Sequence, residues 1–258
     1  MVRYAAEVSY NGAFFFGWQI QPEKPTVQLA IETALSVLDG AHVKVTGAGR
    51  TDAGVHAKGQ VCSFEMSKKW DERTLLLAMN ANLPEGVSVI RVAEARSDFN
   101  ARYDAVSREY IYFIWTGSTI YPHVIPFTHW LKGRNYDWDL AEKACSYLEG
   151  EHYFGNFCRA SCLPANAVRT IYSIKLRRKG NLLYLRVKGD GFLTNMVRVI
   201  LGDLELVAKR EKKPEWIREL FDKCNSRTSG GRTFPPSGLF LWRISYEMSL
   251  WNSHENLL

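Results

Sequence analysis

One glycine-rich stretch holds the residues most able to do chemistry. Residues 47–57 read GAGRTDAGVHA, in which the acid Asp52 follows Arg50 by two positions and precedes His56 by four. A neighbouring arginine lowers the pKa of a carboxyl group, so Asp52 is predicted to stay ionised. An ionised carboxylate suits nucleophilic attack or proton abstraction, and the glycines let the backbone approach a ligand closely. The alternative interpretation is that Arg50 and Asp52 pair only to hold the loop.

Four familiar kinds of site do not fit this stretch. A phosphate-binding P-loop needs Lys and then Ser or Thr after its last glycine, where this chain has Val55 and His56. A dinucleotide-binding loop needs glycine at the position of Asp52. A glycosidase needs two carboxylates, and the stretch offers one. A metal site through Asp52 and His56 lacks a recognisable third ligand in the sequence. A lone carboxylate remains.

Positive charge is concentrated in the second half of the chain. Residues 169–213 contain 12 Lys and Arg against 4 Asp and Glu, whereas the whole chain carries a formal net charge of +6. Tyr172, Tyr184 and Phe192 lie within the same stretch. Cations neutralise phosphates and rings stack on bases, so the pattern is compatible with a polyanionic partner. The alternative is a charged face that only contacts water.

The composition is that of an ordinary globular protein. The chain has 258 residues, of which 46% are hydrophobic and 23% charged. Its five cysteines are widely spread and lack the paired spacing of a disulfide or zinc framework, which favours reduced thiols and a cytoplasmic location. The amino terminus does not resemble a signal peptide, and no stretch approaches the ~20 apolar residues of a membrane span. We therefore expect no membrane partner.

Hydrophobic periodicity predicts helices and strands in both halves of the chain. A helix follows Pro25 and ends at Gly40, and another is capped by Asp71. The predicted strands are Val43 to Thr46, Val61 to Phe64, Val87 to Val92, Glu109 to Trp115, Val168 to Leu176, Leu182 to Val187 and Leu239 to Ile244. An initial strand before Asn11 is also predicted, with Tyr4, Ala6, Val8 and Tyr10 together on its buried face. Later helices are predicted from Asp137 to Leu148, from Leu193 to Val207, and from Pro214 through Cys224.

The helix predicted from Leu193 has an apolar stripe, while Asn195 and Arg198 share its other face. The mixture of elements indicates an α/β (α+β) fold of two similar lobes, residues 1–105 and 106–258. Each lobe is expected to have a mainly antiparallel sheet with helices on one face, and the sheets are expected to meet around a central basic cleft.

Five segments, in order, resemble the tRNA pseudouridine synthase A family. They are YNGAFFFGWQIQPEKPTVQ, GRTDAGVHA, FNARYDAVSREYIYFI, GFLTNMVRVILGDL and SGLFLWRISY, and together they extend over nearly the whole chain. Two features depart from the family pattern: Asn11 replaces the usual aspartate of the opening motif, and residues 14–16 are three phenylalanines. Asn tolerates the same turn, whereas the phenylalanines affect how that loop meets RNA.

The resemblance implies an enzyme that isomerises uridine to pseudouridine in the anticodon stem-loop, at tRNA positions 38 to 40. It implies that Asp52 is the catalytic aspartate, that Tyr110 stacks on the target base, and that Arg198 pairs with Asp52. Arg50 matches the arginine before the aspartate, and Leu193 matches an apolar position beside the site. The partners implied are tRNA and a second copy of the chain in a homodimer.

The chemistry of this isomerisation agrees with a single carboxylate. The bond from ribose to the uracil nitrogen breaks, the base rotates, and its carbon 5 joins the ribose with no atom gained, so we expect neither a metal nor a cofactor. Asp52 could attack the anomeric carbon or carbon 6, or remove the ribose 2′ proton, and the sequence leaves these routes open. A base buried in a stem must leave its stack, and Tyr110 is the candidate to receive it. Its alternative role is that of an ordinary strand tyrosine.

Several further residues are assigned to substrate binding. Arg50, Tyr110, Leu193 and Asn195 are expected near the base, and Lys175, Arg177, Arg178 and Lys188 are expected to bind phosphates, with Lys179 and Arg186 beside them. His56 is expected to make a structural hydrogen bond. Two rival functions stay open: a noncatalytic RNA-binding protein of the same fold, and a metal-dependent phosphoesterase using Asp52, His56 and His152.

Overall fold

A computed structural model describes residues 1–133, 136–158, 163–222 and 230–251. The chain forms two compact units, one made of Met1–Val106 with the described residues from Leu241 on, the other of Ser107–Phe240. The sequence prediction assigned residues 106–258 to one lobe, whereas the described residues from Leu241 on group with the first unit. Cys162 and Cys224 lie outside the described residues.

The first unit contains an antiparallel sheet with two helices. Its elements are β1 (Val2–Tyr10), α1 (Val27–Asp39), β2 (Thr46–Gly47), β3 (His56–Met66), α2 (Glu72–Asn82) and β4 (Val87–Glu94). Strand β1 pairs with β3 on one side and β4 on the other. As predicted, Tyr4, Ala6, Val8 and Tyr10 of β1 are buried. They form the core with apolar residues of α1 and α2.

Local signals set the ends of both helices. Helix α1 ends at Gly40, which has the left-handed φ of 76° that glycine adopts without strain. Asp71 caps α2 by accepting a 2.9 Å hydrogen bond from the amide of Thr74. The strand predicted from Val43 to Thr46 is wrong in extent. The amides of Val43 and Val45 bond instead to the side chains of Ser36 and Glu32, so strand pairing starts only at Thr46.

The second unit is built around the antiparallel strands β5, β9, β8 and β7, in that order. Its elements are β5 (Ala105–Trp115), β6 (His129–Trp130), α3 (Trp138–Cys145), β7 (Gly150–Tyr153), β8 (Val168–Lys179), β9 (Leu182–Gly189) and α4 (Met196–Ala208). The short strand β6 runs parallel to β5. The last strand, β10 (Leu239–Tyr246), begins in this unit and continues into the first.

Two helix predictions in the second unit need correction. Helix α4 begins at Met196 and not at Leu193, because Asn195 has a left-handed φ of 63° and takes the capping position before the helix. The segment after Pro214 is a 3-10 helix, Pro214–Phe221, and the predicted end at Cys224 lies outside the described residues. Among the helices of the described residues, none has the length and apolar character needed to cross a membrane.

Candidate active site

The Asp52 loop, residues 48–55, connects β2 to β3 and is fixed from within its own unit. The amide of Ala48 donates to the carbonyl of Val61 at 2.8 Å. The buried amide side chain of Gln60 then brackets Gly49, accepting from its N–H at 3.2 Å and donating to its carbonyl at 2.7 Å. A turn closes where the amide of Val55 bonds to the carbonyl of Asp52 at 3.1 Å. The backbone that carries Asp52 is therefore well defined.

The opening motif of the chain, residues 10–28, packs directly against this loop. The hydroxyl groups of Tyr10 and Thr51 lie 2.7 Å apart, and the amide of Trp18 donates to the carbonyl of Thr51 at 3.1 Å. Gly17 has a φ of 91°, and a Cβ there would lie 2.6 Å from the Thr51 carbonyl oxygen. Only glycine allows this approach. The two sequence motifs, far apart in the chain, thus form one structure.

His56 makes the structural hydrogen bond that the sequence predicted. It is 0% exposed, and its Nδ1 accepts a 3.0 Å hydrogen bond from the amide of Gly12. An accepting Nδ1 carries no proton, so the neutral ring holds its proton on Nε2. His56 therefore fastens the opening motif to the Asp52 loop. Among the residues that the structure describes, no group of three His, Cys, Asp or Glu side chains is placed to hold a metal ion.

Burial separates the side chains of the loop. Thr51 and Val55 are 8% and 2% exposed, whereas Asp52 between them is half-buried and Arg50 is exposed. Two buried residues thus anchor the turn on either side of a carboxylate that keeps access to the surface. This arrangement suits a carboxylate that must meet a ligand without moving its backbone.

Tyr110 lies on β5 in the second unit and is mostly covered. It is 8% exposed, and its ring meets Phe192 edge to face at a centroid distance of 5.1 Å. Its neighbour Arg108 donates from Nη1 to the carbonyl of Asp190 at 2.8 Å, which joins the strand to the segment carrying Phe192. Tyr110 and Phe192 together make an aromatic pair, and sequence reasoning did not assign Phe192 to the site.

Arg198 is held at the start of α4 by two contacts within the second unit. Its Nη1 donates to the Asn195 side-chain oxygen at 2.6 Å, and its Nε donates to the carbonyl of Phe234 at 2.5 Å. The amide of Phe234 in turn donates to the carbonyl of Arg198 at 3.1 Å. The predicted shared face of Asn195 and Arg198 is present, and Leu193, 7% exposed, lies in the turn before the helix.

The segment that carries Phe234 is itself fixed against α4. Arg232 makes two hydrogen bonds to the buried Glu205, at 2.8 and 3.0 Å. Gly202 and Gly231 pack backbone to backbone, since a Cβ on Gly202 would lie 1.8 Å from the carbonyl oxygen of Arg232. Phe234 could not be found from sequence, because a carbonyl acceptor leaves no side-chain signal.

The predicted phosphate-binding residues lie on β8 and β9, mostly away from Tyr110. Strand pairing places Lys175 opposite Arg186, and Lys188 opposite Glu109. Since successive strand residues point to opposite faces, Lys175 and Lys188 share the sheet face opposite to that of Tyr110. The structure therefore does not bring these lysines beside the tyrosine.

Two further cations among the predicted phosphate-binding residues already have partners within the protein. Arg177 forms an ion pair with Glu142 of α3, and Arg178 donates from Nε to the carbonyl of Gly180 at 2.9 Å. Both line an open cavity of about 650 Å³ in the second unit. Arg186 is ion-paired with the buried Glu109, a hydrogen bond that raises the pKa of Arg186. The basic stretch is thus partly neutralised by acids that lie elsewhere in the chain.

Comparison with known proteins identifies the family. A sequence model of the family described as tRNA pseudouridine synthase matches residues 6–104 and 144–247. The tRNA pseudouridine synthase A of Brevibacillus brevis is 36% identical over 249 residues, covering 95% of this chain and 100% of its own. That of Geobacter sp. is 38% identical over 240 residues, covering 93% and 96%.

One solved structure also aligns with this chain. The archaeal box H/ACA sRNP Nop10-Cbf5 complex aligns with 79% of this chain and 53% of that chain at 12% identity and a TM-score of 0.32. The alignment thus covers about half of that chain.

The chain belongs to the tRNA pseudouridine synthase family. Within it, the near full-length relatives are A-type synthases, as the five sequence segments predicted. The protein is therefore an isomerase that pseudouridylates tRNA, and the rival of a noncatalytic RNA-binding protein is set aside.

Proposed function

We propose that the enzyme converts uridines of the anticodon stem-loop, at tRNA positions 38 to 40, using Asp52 as its only catalytic carboxylate. The observation that carries this proposal is the anchored loop: Thr51 and Val55 are buried, and the half-buried Asp52 side chain lies between them. Because Gln60 and the opening motif already hold the loop in the free protein, little entropy is lost in positioning the carboxylate when the substrate binds.

One carboxylate is sufficient for this reaction, because the isomerisation adds no atom to the nucleoside and removes none. The bond from C1′ to N1 of uridine breaks, a bond from C1′ to C5 forms, the proton on C5 leaves to solvent, and N1 takes up a proton in its place. Attack by the carboxylate on C1′ or C6, or removal of the 2′ proton, each requires an ionised Asp52. The departing uracil anion delocalises its charge over its carbonyl groups, so a second acid is dispensable.

The other site residues are proposed to bind and orient the substrate. Arg198 pairs with Asp52, and Arg50 adds positive charge at the exposed side of the loop. Tyr110 receives the extruded base, with Leu193 and Asn195 beside it. Tyr110→Phe retains the ring and loses the hydroxyl, whereas Tyr110→Ala loses both. Activity retained by Tyr110→Phe supports stacking, and its loss indicates that the hydroxyl takes part in removing the C5 proton.

The catalytic claim is tested by tritium release from tRNA labelled at C5 of uridine. Wild type is expected to release tritium, and Asp52→Asn is expected to release essentially none while still binding tRNA. Asp98→Asn, which changes an exposed carboxylate of the same unit, should match wild type. Release by Asp52→Asn at more than a few per cent of the wild-type rate would overturn the role of Asp52.

The position claim needs a separate substrate set. We would use tRNA transcripts that keep a single anticodon-arm uridine at 38, 39 or 40 and map pseudouridine in each. Product outside the anticodon arm, with none inside it, contradicts the position claim and leaves the role of Asp52 unaffected.

A homodimer and a cytoplasmic location belong to the same proposal. The homodimer rests on the family resemblance, and the cytoplasmic location rests on five cysteines without disulfide or zinc spacing. Sedimentation of the purified protein with and without tRNA tests the first, and a monomer under both conditions would refute it.

A further inference from the structure

Two phenylalanines next to the Asp52 loop are exposed to solvent. Residues 14–16 are all phenylalanine, yet the middle one, Phe15, is 6% exposed while Phe14 and Phe16 are each 45% exposed. Exposing two large rings costs hydrophobic free energy that burial would have gained. A pair of such rings on one short loop therefore calls for a reason.

The backbone holds both rings outward. Phe15 is anchored by its amide, which donates to the carbonyl of Gly12 at 3.1 Å, and by its ring, which meets that of Tyr10 edge to face at 6.5 Å. The amide of Phe16 donates to the carbonyl of Pro25 at 2.8 Å. Phe15 is thus held inward, whereas Phe14 ends the short 3-10 helix Gly12–Phe14 and Phe16 follows it, and the rings of both lie at the surface.

Each exposed ring is supported on one side. The ring of Phe14 lies over Gly86, where a Cβ would be only 2.8 Å from it. The ammonium group of Lys24 lies 4.6 Å from the centroid of Phe16. A supported ring loses little conformational entropy when a flat ligand stacks on it, and a nearby cation favours an anionic ligand.

The rings are tied to the same turn that presents Asp52. The carbonyl of Phe15 accepts a hydrogen bond from the amide of Gly54 at 3.4 Å, and a Cβ on Gly12 would lie 2.2 Å from the carbonyl oxygen of Val55. Arg50 and Lys24 are exposed in this same region of the unit. Aromatic rings interleaved with cations form the surface on which proteins stack single-stranded nucleic acid.

We propose that Phe14 and Phe16 stack on unpaired nucleobases of the substrate tRNA that flank the target uridine. This rests on the proposed function, because an anticodon loop supplies unpaired bases beside positions 38 to 40. The rings act in substrate binding and not in the chemical step.

The test compares ring removal with removal of a matched exposed side chain. Phe14→Ala, Phe16→Ala and the double variant are made beside Leu77→Ala, which truncates a residue of α2 that is 59% exposed. Because base stacking on an aromatic ring stabilises the complex, each single variant is expected to weaken tRNA binding roughly tenfold and the double variant more. Leu77→Ala should bind as wild type does.

Two further measurements make the result specific to stacking. Phe16→Trp should retain affinity and Phe16→Leu should lose it, since only the former keeps a flat ring. With saturating tRNA, tritium release by the variants should stay within about twofold of wild type, because KM changes and kcat does not.

A substrate change completes the test. An abasic nucleotide next to the target should weaken binding by wild type but not by the double variant. Unchanged tRNA affinity in a folded double variant would overturn the proposal. If wild type binds tRNA through these rings but forms no pseudouridine in the anticodon arm, the proposed function fails while the stacking surface stands.

Discussion

The guanidinium of Arg198 donates a 2.6 Å hydrogen bond to the side chain of Asn195, a residue whose backbone is left-handed with φ of 63°. Asn is one of the few residues that adopts this backbone at low cost while offering a side-chain acceptor. Asn195 therefore does two things at once: it starts α4 and it orients Arg198. The two roles can be separated by substitution.

Asn195→Gly tests the orienting role. Glycine adopts the left-handed backbone freely but removes the acceptor for Arg198. We expect kcat for pseudouridine formation to fall by about 10 to 100-fold, because small misplacement of a site residue is costly. Thr194→Ala, at the exposed neighbouring position, is the control for stability and rate. Wild-type kcat in Asn195→Gly would show that the Asn195 side chain is not needed to position Arg198.

A pair of glycine substitutions tests the packing of the opening motif on the Asp52 loop. Gly17 and Gly40 both have positive φ, but a Cβ at Gly17 meets the Thr51 carbonyl oxygen at 2.6 Å while a Cβ at Gly40 meets nothing within 4 Å. Gly40→Ala should cost roughly 1 to 2 kcal/mol of unfolding free energy from backbone strain, with normal activity. Gly17→Ala should cost more and also lose activity.

Unfolding by urea and tritium release, measured side by side, check this prediction. Equal activity in the two variants at matched fractions of folded protein would contradict it.

Salt dependence tests the basic strands β8 and β9. Removing one phosphate contact lowers the slope of log affinity against log salt by about 1. We expect this change for Lys175→Ala, and a smaller one for Arg177→Ala because Arg177 is already ion-paired with Glu142. Filter binding of tRNA over a range of salt concentrations measures the slope. If Lys175→Ala leaves the slope unchanged, this face of the sheet does not bind tRNA phosphates.

Two buried thiols are expected to make the fold less stable at alkaline pH. Burial raises the pKa of Cys62 to about 12, although a backbone hydrogen bond at Ala6 opposes it. Burial, with the charge of Glu149 adding to it, also raises the pKa of Cys145 to about 12. In the unfolded chain both thiols ionise near the ordinary value of 9.0, so from about pH 9 to 12 the unfolded state binds fewer protons. The free energy of unfolding is therefore lost as pH rises through this range.

Cys62→Ala should make that decline shallower by up to about 1.4 kcal/mol per pH unit. Urea unfolding of wild type and variant at pH 8, 9 and 10 measures it, and their offset at pH 8 serves as the reference for the lost side chain. Parallel curves for the two proteins would show that Cys62 does not ionise differently on unfolding.

Features that depend on neighbours a few residues apart could be predicted from the sequence. The ends of α1 at Gly40 and of α2 at Asp71 and the alternation of β1 follow from local period and capping chemistry. The residue type of His56 predicted a structural hydrogen bond, but not its partner Gly12, which is 44 residues away in the chain. The five motifs likewise identified the family, because they preserve residue types in order.

Tertiary structure decided the interactions between residues far apart in the chain. Gln60 brackets Gly49, the carbonyl of Phe234 holds Arg198, and Glu142 neutralises Arg177. The pleat of β8 and β9 turned Lys175 and Lys188 away from the face of Tyr110. Sequence fixes which residues carry charge or accept hydrogen bonds, but only the folded backbone determines which of these groups come within the 3 Å or so that a hydrogen bond requires.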